Sequence, residues 1–87
     1  MLRISIIESL DDAITLRLEG RIIDRWVEEL SRSCEPILAE RRRLILDLAG
    51  VRFLDREAIT LLWNLKRRQV SFVNCSQFVA NKLQSPR

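Results

Sequence analysis

The side chains able to do chemistry in this chain are carboxylates, arginines and lysines, hydroxyls and two cysteines; histidine is absent. Without histidine there is no imidazole general base, no Cys–His nucleophile and no Cys/His zinc set. Cys34 lies on the apolar stripe of a predicted helix and Cys75 at the end of a predicted strand, far apart in sequence. Both are read as small buried hydrophobes and not as reactive thiols. A reducing cytoplasm is the expected compartment. No nucleophile–base pair and no metal set can be assembled, so the chain is not expected to be an enzyme and no cofactor is expected.

Charge is what remains. Arg21, Asp24, Arg25, Arg52, Asp55, Arg56 and Glu57 fall in two short stretches, and Arg41–Arg43 and Lys66–Arg68 in two more. Twelve acids are dispersed among fifteen bases, for a net charge of +3. A nucleic-acid stripe shows a larger imbalance with aromatics between the bases, so a small nucleic-acid binder is kept only as an alternative. The second pair of basic runs follows helix C-termini, where the helix dipole favours cations.

These groups are positioned by the stretch Leu44–Asn64. It opens on the apolar run Leu44–Leu48, read as a buried strand. A loop follows at Ala49–Leu54, then Asp55 as N-cap of a helix carrying Ala58, Leu61, Leu62 and Leu65 on one side. Upstream, Leu2–Ser9 and Ala13–Glu19 alternate apolar and polar residues around the turn Leu10-Asp11-Asp12, which predicts a β-hairpin. Gly20 is expected to end the second strand and start a loop, Gly20–Asp24. From Asp24 to Ala39 the apolar residues Val27, Leu30, Cys34, Ile37 and Leu38 take a helical period, with a kink or early end expected at Pro36. Trp26 is placed at the start of this helix, against the sheet.

Downstream, Val70–Val73 reads as a fourth strand, Ser76 as an N-cap, Gln77–Leu83 as a last helix and Ser85-Pro86-Arg87 as a frayed tail. The 87 residues make one domain, 47% hydrophobic and 31% charged, near the small end of what supports a core. No run approaches a membrane span, and the first residues read as a strand, not a signal peptide.

The order β-β-α-β-α-β-α predicts an α/β fold. Its four-stranded, mostly parallel sheet has the order 1-2-3-4, with only the first strand antiparallel. Both crossover helices fall mainly on one face, leaving the other thinly covered. Ile45 and Val73 are expected to be exposed there, and self-association or a partner is expected to cover them.

Three stretches resemble the STAS domain, the fold of anti-sigma-factor antagonists and of the regulatory domains of sulfate transporters. Gly20-Arg21-Ile22-Ile23 is similar to the family's G-E-L-D loop, with Leu30 at its helix leucine. Leu44–Val51 resembles its strand L-x-L-D-L-S-G-V, and Asp55-Arg56-Glu57-Ala58-Ile59 falls on its D-S-S-G-L signature. The usual C-terminal helix reads as shortened or missing. In the family, the second signature serine accepts phosphate; here that position is Glu57 and the first serine is Arg56. No hydroxyl remains from Gly50 to Ile59. Glu57 has two readings. A first-turn acid complements the helix dipole, worth about 0.3–1 kcal/mol. Alternatively, it is a fixed and imperfect imitation of the phosphorylated serine. The first is preferred.

The resemblance implies a cytoplasmic bacterial regulator of transcription, a non-catalytic interaction module not switched at the signature loop. Its partner would be a regulatory protein such as an anti-sigma factor or a sensor kinase, and a homo-oligomer is possible. Arg21, Asp24, Arg52, Asp55, Arg56 and Glu57 would form the binding rim. A cytoplasmic STAS-type subunit of an ABC lipid-transport complex is the alternative within the family.

Overall fold

The computed structural model describes residues 1–84; the tail Ser85-Pro86-Arg87 lies outside the described residues. The elements run β1 (Leu2–Ser9), β2 (Ala13–Ile22), α1 (Arg25–Ala39), β3 (Arg43–Leu54), α2 (Arg56–Arg67), β4 (Ser71–Val73) and α3 (Gln77–Gln84). One sheet has the order β1-β2-β3-β4, with β1 antiparallel to β2 and the other pairs parallel. The expected topology is the observed one. No helix is long and apolar enough to cross a membrane among the described residues.

Alternation decides which side of the sheet the helices cover. Leu16 and Leu18 on β2 and Leu44, Leu46 and Leu48 on β3 are buried beneath α1 and α2, together with Leu30, Leu62 and Leu65 from those helices. α3 packs against β3 and α2, inserting Val79 into the core. The Trp63 indole N–H donates to the Leu83 carbonyl at 2.9 Å, fastening α3 to α2. Ser76 caps α3 as expected, accepting from the Val79 N–H at 3.2 Å.

The opposite face carries the alternate set, and it is polar. One row across the sheet runs Ser5, Arg17, Asp47 and Val73. Asp47 is buried, accepts from the Ala49 N–H at 3.0 Å and lies 3.7 Å from the Arg17 guanidinium. The Ala49 N–H, reinforced by Asn74 and Arg17, holds its carboxyl below the usual carboxylate range. Val73 is exposed, whereas Ile45 is half-buried between Thr15 and Ser71. The apolar patch expected from Ile45 and Val73 is therefore broken up by charged and hydroxyl side chains.

Four expectations need correction. β2 continues through Gly20 to Ile22, leaving only Ile23 and Asp24 of the expected loop, and β3 continues through the whole of the expected loop Ala49–Leu54. Two register shifts in the β2–β3 pairing absorb the broken alternation: Leu48 and Ala49 together face Leu18, and Arg52 is a second extra residue on β3. α1 passes through Pro36 to Ala39 without stopping. Cys75 is exposed, because the strand ends at Val73 and Cys75 falls in the loop before α3. Cys34 is buried as expected, and burial pushes its thiol up to about 12.

Candidate functional site

The carboxyl ends of β2 and β3 lie side by side, Ile22 opposite Leu54, and each leads at once into a helix. Both helix N-termini therefore open on the same rim. Asp55 ties the two strand–helix junctions together. Its backbone N–H donates to the Ile22 carbonyl at 3.2 Å. Its Oδ1 accepts from the Ala58 N–H at 2.8 Å, which caps α2, and its Oδ2 accepts from the Asp24 N–H at 2.9 Å. Asp24 needs that support. It stands at φ 51°, ψ −129°, an uncommon backbone for an L-residue, and its side chain caps nothing.

Asp55 is thus a structural brace, and both its oxygens are occupied. Asp55→Ala is expected to cost about 1–2 kcal/mol, the range of a lost N-cap. Asp55→Asn can still cap α2 through its carbonyl oxygen, but its amide cannot accept from Asp24. Thermal melts of the two variants should separate the cap from the tie between loops. Equal, near-parental melting of both would show that neither bond is needed.

Around this brace the other candidates are exposed: Arg21, Asp24, Arg52, Arg56 and Glu57. Arg21 lies over the Phe53 ring, 5.5 Å from its centroid, and Arg25 over Trp26 at 5.0 Å. Between α2 and α3 a groove of 970 Å³ is lined by Phe53, Arg56, Ile59, Thr60, Trp63 and Lys82, among others. The structure gathers Arg56 into this groove and places Arg21 at its Phe53 wall. Arg52 is the extra residue of the second bulge, and Glu57 stands in the first turn of α2. Neither Arg52 nor Glu57 contributes to the groove lining. Sequence alone does not single out Phe53 and Trp63. Phe53 sits where a loop is expected, and Trp63 looks like one more helix residue.

Both basic rims carry unpaired cations, and they differ in what surrounds them. Within the described residues Arg21, Arg25, Arg52 and Arg56 have no carboxylate in ion-pair range. At the other end, Arg68 makes a two-pronged contact with Glu35, at 2.7 and 3.2 Å. Arg42 is tied to the β1–β2 turn through the Leu10 carbonyl and the Ser9 hydroxyl. At that end Arg41, Arg43, Lys66 and Arg67 likewise have no carboxylate in ion-pair range among the described residues. What sets the first rim apart is the exposed aromatic surface of Phe53 beside its open cations.

The STAS domain model matches residues 5–85 of this chain. The structure is similar to that of the anti-sigma factor antagonist SpoIIAA in its unphosphorylated form. The TM-score is 0.74 at 16% identity, covering 94% of this chain and 82% of that one. It is also similar to an uncharacterized Shewanella loihica protein with a SpoIIAA-like fold, at a TM-score of 0.59 and 18% identity. That match covers 88% of this chain and 69% of the other. No curated protein matches the sequence. A four-stranded sheet ending in two braced strand–helix junctions, and a family model spanning nearly all of the chain, lead to one assignment: this chain belongs to the STAS domain family.

Proposed function

We propose that the chain is a non-catalytic protein-interaction module of the anti-sigma-factor-antagonist type, acting in the cytoplasm through the Asp24–Asp55 rim. Its partner is a regulatory protein, an anti-sigma factor or a sensor kinase, presenting acidic side chains around an apolar projection. The observation that supports this most is the set of unpaired arginines Arg21, Arg25, Arg52 and Arg56 beside the groove walled by Phe53 and Trp63. Arginine and aromatic side chains together are what protein interfaces are enriched in.

The module is not switched by phosphate at its signature loop. Phosphoryl transfer needs a hydroxyl aligned with the donor phosphate, and Arg56 and Glu57 offer none. Thr60 carries the nearest hydroxyl, but it lies within the formed helix α2. Titration calorimetry with the regulatory protein tests both statements. Arg56→Glu is expected to weaken binding at least tenfold, about 1.4 kcal/mol, while leaving the melting curve unchanged. After incubation with a cognate kinase and ATP, the parent is expected to carry no phosphate within residues 50–60. Glu57→Ser supplies the missing hydroxyl as the comparison. Undiminished binding by Arg56→Glu would exclude the rim, and stoichiometric phosphate on the parent loop would exclude the unswitched reading.

A further inference from the structure

Seven large hydrophobic residues of the described chain stay exposed, and four of them, Met1, Ile6, Ile7 and Leu10, lie on or beside β1. Ile6 is 62% exposed. β1 is also an edge of the sheet, with β2 on one side and, among the described residues, no strand on the other. An edge strand bearing apolar side chains is a template for pairing with another strand.

The backbone phase of that edge can be worked out. The Arg21 N–H donates to the Met1 carbonyl at 2.9 Å, and the Leu10 N–H to the Ala13 carbonyl at 2.7 Å. Leu2 stands opposite Gly20, and the register shift between Ile6 and Glu8 makes Ile7 the extra residue. Both bonds then agree on one phase. Arg3 and Ser5 bond inward to β2, and Ile4 and Ile6 point their N–H and C=O outward, as antiparallel alternation requires.

We propose that two copies of this chain join β1 to β1, antiparallel, about a two-fold axis at Ser5, forming one eight-stranded sheet. The register is set by the sequence LRISIIES reading against itself. Ile4 faces Ile6 of the second copy, and these are the residues whose backbone groups are free to bond. Ser5 faces Ser5 as a non-hydrogen-bonded pair. Because the bulge takes up Ile7, Glu8 occupies the next regular place and stands opposite Arg3 of the second copy. Arg3 and Glu8 are exposed and lie on the helix-free face, paired with Glu19 and Thr15 of β2 respectively. Sliding the strands by two residues either way separates Arg3 from Glu8, so charge complementarity selects this register. On the other face Ile4 and Ile6 of both copies meet beside Trp26, covering the 480 Å³ groove that these residues line in each copy. The surface is self-complementary, as a two-fold interface must be.

Sedimentation and light scattering over a range of concentrations, in a Cys75→Ser background, test the pairing. The parent is expected to be a dimer. Ile6→Lys is expected to raise its dissociation constant at least tenfold, with the melting curve of the monomer unchanged because Ile6 is exposed. Arg3→Glu and Glu8→Arg alone are each expected to weaken it roughly tenfold through like-charge repulsion. The double variant restores the parental value, which a general effect of charge cannot do. Ser5→Cys is expected to form an intermolecular disulfide, since non-hydrogen-bonded antiparallel neighbours have Cα atoms about 4.5 Å apart. Arg3→Cys, away from the axis, is expected not to. A parent that stays monomeric at high micromolar concentration overturns the proposal. So does a dimer indifferent to Ile6→Lys and to the charge exchange, or a β1 edge that pairs only with a strand of another protein.

Discussion

Leu46→Ala is expected to cost about 2–5 kcal/mol of unfolding free energy, the range for truncating a buried leucine. Leu46 has no exposed surface and sits between Leu16 on β2 and Phe72 on β4, in the strand that all the other layers touch. The fully buried Leu62 belongs to the helix layer that covers this strand. A cavity here cannot be filled by a side chain swinging in from the surface. Small domains hold only a small multiple of that energy, about 5–15 kcal/mol in general. A change of about 4–8 °C per kcal/mol follows for a chain of 60–100 residues, so the midpoint should fall by roughly 8 °C or more. Melting within a degree or two of the parent would mean that β3 is not the central strand.

Gly20→Ala is the second large effect, and it comes from the backbone. Gly20 stands at φ 112°, outside the region that residues with a Cβ adopt readily, and a Cβ there would run into the Met1 carbonyl oxygen. Backbone conformations of this kind cost about 1–3 kcal/mol for a non-glycine residue, before any displacement of Met1. That displacement also endangers the Arg21–Met1 hydrogen bond that secures the start of β1. Chemical denaturation measures the loss, and hydrogen exchange locates it. Protection should fall first at Leu2–Ile4 and Arg21–Ile22. A Gly20→Ala protein as stable as the parent would exclude the strained geometry at this position.

Glycine also explains where the sequence is readable and where it is not. The strand order is legible because a hairpin with a short acidic turn, followed by two helical periods of ordinary length, leaves few topologies open. The lengths of β2 and β3 are not. Gly20 and Gly50 read as strand breakers, whereas here one accommodates the close approach of β1 and the other lies beside Glu19. The bulges shift Val51 and Leu54 out of simple alternation while keeping both buried, so the apolar period that marks a strand is lost just where the rim is built. Helix ends carry no glycine signal either, although the apolar period alone places the end of α1 at Ala39. α1 and α2 close with left-handed residues, Arg41 at φ 61° and Gln69 at φ 70°, at positions usually given to glycine.

The rim itself is half legible. Asp55 can be read as an N-cap from its place before an apolar helix period, and it is one. Its second bond, to an amide thirty-one residues away, has no local signal. Cys75 illustrates the same limit. Its expected burial rests on the strand it follows, but that strand ends at Val73 and the loop before α3 turns the side chain to solvent instead of the core.

The Asp55 brace has a consequence for the tempo and breadth of recognition. Loops that must be frozen on docking subtract their lost motion from the affinity and slow the final fitting. Here one residue already ties both strand–helix junctions together, so the partner proposed for this rim would meet the shape it leaves behind. For the partner proposed above, encounters are expected to convert to complexes with little searching, with the entropy of association dominated by the partner and by released water. The same rigidity removes tolerance. A protein whose surface does not match cannot be met halfway by a rearranged loop, and divergence of the partner has to be answered by substitution in the exposed side chains of this rim.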